Sequence, residues 1–427
     1  MLEFSIRRVD MDFTPLHGIY PELYGSEYTE KDMDTRFESL VDTHNKLFGE
    51  KNPMIFSAAG RSEIAGNHTD HNLGKVIGAT VSLDTIAAVS MRDDNKVIVA
   101  SEGFPEVEIE LDDLKAREDE KNTTHALLRG IAATLKEMGY KIGGWQANTT
   151  TRVLKGSGLS SSAAIEVLCA EIFNNLFNDD KLTPIELAKI GQKAENIYFG
   201  KPSGLLDQAC CAQGGIVGID FKDKDNPVLT PLDIDFNEYG YTMIITDTKG
   251  SHADLTAEYA SVPPEMREVA HYFGKENLRE VEFSDFIDNI AKIRESIKND
   301  RAILRAYHFF TENRRVSMML DELKRGDIDS FLCNVEDSGN SSFRFLQNVY
   351  PSSKPQEQGL SIAIAMSEEV LKGDGAVRVH GGGFAGTIQA YVPEHLIDKY
   401  ICQMERIFGK GCSIKIAIRQ RPVSRIL

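Results

Sequence analysis

The sequence predicts an α+β fold in two domains, and three observations lead to it. A chain of 427 residues, 41% hydrophobic and 26% charged, has the length and ordinary composition to bury two or three separate cores. Its first half is dominated by short apolar, β-branched runs broken by glycine-rich turns, with helical patterns between them. Beyond the apolar run 241–247 the character changes, and long charged helices alternate with two further strands. That change places a boundary near Asn237, so residues 1–237 form one domain and residues 238–427 the other.

Residues 35–48 carry Phe37, Leu40, Val41 and Leu47 at positions that suit a helix, ahead of a short apolar strand at 54–58. Residues 75–91 are rich in β-branched and small apolar side chains and predict a strand, as do 96–100 and 107–111. Residues 123–137 put Ala126, Leu127, Ile131 and Leu135 on one helical face, and 145–153 alternate like a strand. After the turn that follows, Ile165, Leu168, Cys169, Ile172, Phe173 and Leu176 recur at helical spacing. Helical patterns continue over 183–199, and 241–247 reads as a strand. In the second domain 284–297, 301–325 and 361–371 predict helices, with strands at 376–380 and 387–392. The charge run 112–121 predicts a solvated face or a mobile loop.

A net charge of −17 repels nucleic acid and anionic membrane, so a phosphate-bearing ligand would need locally placed cations and amides. No run approaches the roughly 20 apolar residues of a membrane span, and residues 1–13 lack the apolar core of a signal peptide. The six cysteines show no paired metal-ligand spacing, and Cys210-Cys211 sits in an apolar stretch that suits core filling. A cytoplasmic protein with no nucleic-acid or membrane partner is expected, monomeric or weakly self-associating.

The turn at 155–164 reads Lys155-Gly156-Ser157-Gly158-Leu159-Ser160-Ser161-Ser162-Ala163-Ala164. The glycines allow a tight turn, and the serine run supplies amides and hydroxyls at the positive end of the helix dipole, which suits a polyphosphate. A Gly/Ser turn with an ordinary serine cap is the plainer alternative. The loop is not a Walker A motif, because no Gly-Lys-Ser/Thr follows the glycines, and the nucleophile-elbow pattern Gly-x-Ser-x-Gly fails at Ser162.

Two more glycine-rich segments flank it: Gly60-Arg61-Ser62-Glu63-Ile64-Ala65-Gly66-Asn67-His68-Thr69-Asp70-His71 before, and Gly381-Gly382-Gly383-Phe384-Ala385-Gly386 after. Three such motifs in this order resemble those of the GHMP small-molecule kinases. The first resembles the galactokinase signature Gly-Arg-x-Asn-x-Ile-Gly-Glu-His-Thr-Asp-Tyr. The resemblance covers nearly the whole chain. It implies a two-domain GHMP kinase fold, with an N-terminal ribosomal-protein-S5-domain-2-like α/β domain and a C-terminal ferredoxin-like α+β domain. The active site would lie in the cleft between them. The implied reaction is ATP-dependent phosphorylation of the anomeric C1 hydroxyl of D-galactose, with Mg²⁺ as cofactor.

The same resemblance implies roles for individual residues. Asp207, in Gly204-Leu205-Leu206-Asp207-Gln208, matches the catalytic carboxylate, which would accept the hydroxyl proton or orient the hydroxyl. Arg61 matches the arginine that would hold Asp207 ionised and face the transferred phosphoryl. Gly156, Ser157, Gly158, Leu159, Ser160, Ser161 and Ser162 would cradle the nucleotide phosphates. Ser162 would share the metal with Glu195, in Lys193-Ala194-Glu195-Asn196. Asn67, His68, Asp70, Gly204, Asp207 and Tyr259 fall at sugar-binding positions. A transition-metal site at His68, Asp70 and His71 is the alternative there, though no distant ligand pattern completes it.

Departures from the family pattern cluster at the rim. Asn67 replaces a glutamate that contacts the C6 hydroxyl in the family, Glu63 replaces an asparagine, and His71 a tyrosine. His380 and Ala385 alter the third motif. Thr124 and Leu127, before Arg129-Gly130, stand where many galactokinases place aromatics near adenine. With no charge at Asn67, looser selection at C6 is expected, with galactose still preferred. The rival readings are a kinase for a derivative such as galacturonate and a silent sugar- and ATP-binding regulator.

Overall fold

The computed structural model describes residues 11–26, 28–153, 158–201, 203–251 and 255–427. Its first sheet contains β1 (Met54–Ala65), β2 (Lys75–Met91), β3 (Lys96–Ser101), β4 (Val107–Glu110), β5 (Trp145–Thr151), β6 (Ile216–Asp220) and β7 (Val228–Leu232). The second is built from β8 (Tyr241–Asp247), β9 (Ala376–Val379), β10 (Thr387–Pro393) and β11 (Ser413–Ile416), in the order β11-β8-β10-β9. The final strand, β12 (Ser424–Arg425), returns to pair with β1, so the chain's last residues belong to the first sheet.

The long strand β2 organises the first sheet. Its start pairs antiparallel with β6 and its end with β5, while β1 runs antiparallel along its length. β1 and β2 lose register between Ala59 and Arg61, and such a bulge re-aims the side chains beside it. The expected strand at 54–58 therefore extends through the first glycine motif as far as Ala65. Helices Thr124–Glu137, Ser161–Asn178, Pro184–Lys193 and Leu206–Gln213 contribute to the same core, through Leu128, Phe173, Leu187 and Cys210 among others. That core is continuous with Met243, Phe331 and Tyr391 of the later part of the chain.

Other expectations need amendment. Residues 284–297 form two helices, Phe283–Asp288 and Ile290–Ile297, because the chain breaks at Asn289. The charge run 112–121 is mostly exposed, as a solvated face would be, and is anchored near its end, where Glu120 accepts from Arg129 Nε at 2.8 Å and from its Nη2 at 2.7 Å. Helix Thr256–Tyr272 was hidden by Pro263 and Pro264 within it, and helix Ile328–Ser341 by a polar end rich in Ser, Asn and Gly. Among the described residues, no helix is long and apolar enough to cross a membrane.

Candidate active site

Arg61 lies just past the bulge in β1, where Gly60 permits a close crossing. A Cβ on Gly60 would stand 2.7 Å from the carbonyl oxygen of Leu159. The end of the serine-rich turn passes over the strand there, and Arg61 N–H donates to the Leu159 carbonyl at 3.0 Å. Arg61 Nε donates to Asp207 Oδ1 at 2.8 Å, Nη2 reaches the same oxygen at 2.7 Å, and Nη1 donates to the Gly158 carbonyl. Asp207 sits in the first turn of helix Leu206–Gln213. Its Oδ2 accepts from the Ser160 hydroxyl. Burial would raise the Asp207 pKa, but the charge of Arg61 outweighs it and holds the carboxyl below the usual range. The Asp207 side chain still keeps 34% of its surface exposed, so a ligand can reach it.

Ser160 adopts a left-handed backbone with φ of 57°, at the N-cap of helix Ser161–Asn178. Its hydroxyl is turned to Asp207 and supplies no cap to that helix. Ser161 and Ser162 form the first helical residues, and the Leu159 side chain joins the core. Gly156 and Ser157 lie outside the described residues. The expected nucleotide loop therefore contributes to the structure from Gly158 onward, where His380 of the third motif packs against it. A Cβ on Gly158 would meet His380 Nδ1 at 3.0 Å.

Glu195 lies in the π-helical turn Ala194–Phe199, its side chain 4% exposed. Lys201 Nζ donates to its Oε1 at 2.8 Å, and Gln208 Nε2 to its Oε2 at 2.9 Å. Gln208 Nε2 also donates to Glu166 Oε2 at 2.9 Å. Glu166 is four residues from Ser162 on the same helix, so both lie on one face. Burial, then repulsion from Glu195, pushes Glu166 up to about 9. Glu166 Oε1 and Gln208 Oε1 are buried with no partner among the described residues. Among the described residues no three His, Cys, Asp or Glu side chains converge as a metal site, so a hard cation here would take few protein oxygens and lean on substrate phosphates, as Mg²⁺ does. Sequence reasoning missed Glu166, Gln208 and Lys201. A glutamate within the apolar helix 161–178 was the one available signal.

The sugar signature is folded against the third glycine motif. Gly204 gives Asp70 its place, since a Cβ there would lie 2.5 Å from Asp70 Oδ2. His68 Nε2 donates to the Gly382 carbonyl at 3.0 Å, and Tyr259 Oη to the Gly383 carbonyl at 2.7 Å. Burial, followed by the nearby His71, pushes His68 down to about 4, so its ring is neutral at pH 7. Helix Asp300–Arg325 braces the loop from behind: Glu312 accepts from Gly66 N–H at 3.1 Å, and His308 Nε2 donates to the Asn67 carbonyl at 2.9 Å.

Asn67 departs from expectation. Its side chain is fully buried, with Nδ2 donating to Glu63 Oε1 at 2.8 Å and to the Gly381 carbonyl at 2.6 Å. Its Oδ1 accepts from Asn348 at 2.6 Å. Both amide hydrogens are used inside the protein, so Asn67 is a tie between two glycine motifs and not a reader of a C6 substituent. Glu63, its partner, meets the fully buried Arg378 at 3.1 Å. With both donors spent, the geometry of Asn67 gives no support to looser selection at C6.

This architecture defines the class. Its two-sheet fold is that of the GHMP kinases: the GHMP kinases N terminal domain matches residues 126–215, and the galactokinase galactose-binding signature matches residues 42–91. The solved galactokinase of Lactococcus lactis in complex with galactose superposes with a TM-score of 0.77 at 23% identity, covering 91% of this chain and all of that one. A galactokinase of Enterococcus faecalis is 30% identical over 85% of this chain and 92% of its own length. One of Clostridium tetani is 29% identical over 86% and 90%. The chain belongs to the galactokinase family.

Proposed function

We infer that the protein transfers the γ-phosphoryl group of ATP to the C1 hydroxyl of D-galactose, giving galactose 1-phosphate. The observation that carries this reading is the Arg61–Asp207–Ser160 constellation, which joins the phosphate-loop helix to a strand of the sugar signature. Its members come from three separate segments of the chain.

Asp207, kept ionised by Arg61, accepts a hydrogen bond from the C1 hydroxyl and points that oxygen at the γ-phosphorus. A carboxylate held below its usual range is a weak base, so its first task is orientation, and it takes the proton as the new O–P bond forms. The bond from the γ-phosphorus to the bridging oxygen breaks, and ADP leaves. Arg61 stays charged throughout and stabilises the negative charge spread over the phosphoryl oxygens. The amides at the start of helix Ser161–Asn178 hold the remaining phosphates. Ser162 and Glu195 would hold Mg²⁺, which when bound screens phosphate charge. His68, Asp70 and Tyr259, with the Gly204 backbone, would form the sugar pocket. The two domains would divide near Asn237, with the last strand, β12, crossing back to the first sheet.

The test is ADP release with D-galactose, 6-deoxygalactose, N-acetylgalactosamine and galacturonate, compared by kcat/KM. Galactose is expected to lead. Galacturonate in first place would change the substrate but keep the reaction, and no ADP from any sugar would make the protein a binder. Glu195→Ala should raise the Mg²⁺ requirement and leave galactose binding without nucleotide unchanged, as isothermal titration would record.

A further inference from the structure

The carboxylate best placed for the metal already carries a cation. Glu195 is buried, and both of its oxygens are engaged: Oε2 by the Gln208 amide at 2.9 Å and Oε1 by the Lys201 ammonium at 2.8 Å. The backbone sets up this contact. The N–H groups of Gly200 and Lys201 both donate to the Glu195 carbonyl, at 3.0 and 3.1 Å, closing the π-helical turn. Gly200, with φ of 86°, then aims Lys201 back over the carboxylate of Glu195. The Lys201 side chain keeps 56% of its surface exposed, so the ammonium has solvent on its outer side and room to swing away. Its positive charge also reaches Asp207 and Glu166.

We propose that Lys201 is a positioning residue that occupies the metal's place on Glu195 until the metal–nucleotide complex arrives, and that the metal must displace it to bind. The proposal rests on the kinase reading and concerns the same site. A buried carboxylate with no counter-charge would be costly, and Lys201 removes that cost in the unliganded protein. A divalent cation approaching Glu195 Oε1 meets the ammonium first, because two cations cannot share one oxygen at contact distance without strong repulsion. The lysine therefore weakens metal binding while keeping the carboxylate in place. Once displaced it remains tethered at the edge of the site by the turn at Gly200.

The test measures ADP binding by isothermal titration over a series of Mg²⁺ concentrations, starting in EDTA. The quantity read is the Mg²⁺ concentration that half-saturates the gain in ADP affinity. Lys201→Met should lower it about three- to tenfold, since the competing cation is gone. Lys201→Arg should stay near the wild type. In a Glu195→Gln background, where the contested charge is absent, Lys201→Met should have no effect. An unchanged or raised Mg²⁺ midpoint in Lys201→Met overturns the proposal. So does an equal shift in the Glu195→Gln background, which would mean a general field effect. Wild-type protein that binds no ADP at any Mg²⁺ concentration would defeat the kinase reading itself, and this inference with it. The thermal midpoint of each variant, recorded alongside, separates loss of binding from loss of fold.

Discussion

Two aspartates in this protein are held by the same kinds of partner and end in opposite conditions. Asp84, on β2, accepts from Arg36 at 2.6 Å, the Ser57 hydroxyl at 2.7 Å and Tyr24 Oη at 3.0 Å, with Arg419 at 3.8 Å. It is fully buried and enclosed by protein donors on every side. Asp207 also has an arginine and a serine, yet a third of its side chain stays open. Burial works against ionisation at both, and at both the neighbouring arginines hold the carboxyl below its usual range. The difference lies in what remains for a ligand. Asp84 ties the amino-terminal helices, the first sheet and the returning carboxyl-terminal segment into one junction. Asp207 keeps part of its surface for a partner the protein does not supply.

Four tests, built on five substitutions, would break or sharpen this comparison. The largest effect is expected from Asp207→Asn, which should cost about 10²–10⁴ in kcat while changing the thermal midpoint little. A variant that kept more than a third of wild-type kcat, or unfolded, would remove the functional side of the contrast. Asp84→Ala should do the reverse. Leaving Arg36 and Arg419 buried without their carboxylate should cost about 3–5 kcal/mol in urea unfolding, with kcat per folded molecule preserved.

The third concerns the tie at Asn67. Burial already raises Glu63 above the ordinary carboxylate range despite Arg378 and Arg61. Asn67→Glu would put a second carboxylate beside it and should destabilise the protein by about 2–4 kcal/mol. Adding Glu63→Asn restores one amide and one carboxylate, and should recover at least half of that loss. No recovery would mean that the order of the pair matters as much as its charge.

The smallest effect depends on pH. Asp84 and Asp207 have lowered folded values, so their contribution to stability is complete above the unfolded value of about 4 and is lost as pH falls through the folded one. Glu166 has the opposite sign. Raised to about 9, it favours the folded state below its unfolded value of about 4.3, and that advantage fades as pH rises towards 9. Glu166→Gln should match the wild type at pH 5 and become the more stable of the two at pH 6, by at most about 1.4 kcal/mol. Denaturant melts at the two pH values decide it, and a constant difference would show that Glu166 stays charged.

Much of the fold was legible because its periodic signals are local. The stripe from Ile165 to Phe173 and the run 241–247 could be read from neighbours alone, and the elements lie where expected. Helix Thr256–Tyr272 could not, because paired prolines break the local rule that tertiary packing of Val262, Met266 and Val269 overrides. Strand β12 has only two residues and exists through its pairing with β1.

By itself the sequence determined the three glycine-rich motifs and the residue types within them, since close backbone approach and charge are properties of single positions. It carried the family likeness and pointed to Arg61, Glu195 and Asp207. Tertiary structure alone decided which groups meet: Arg61 and Asp207 are 146 positions apart, and Asn67 and Gly381 are 314 apart. The reason is physical. A hydrogen-bonding side chain on a strand or turn can face a ligand or another part of the chain, and only packing uses up its donors. Asn67 looked free in the sequence because Glu63, Gly381 and Asn348 could not be placed around it. Lys201 carries no signal in the sequence, because only the turn at Gly200 brings its ammonium onto Glu195.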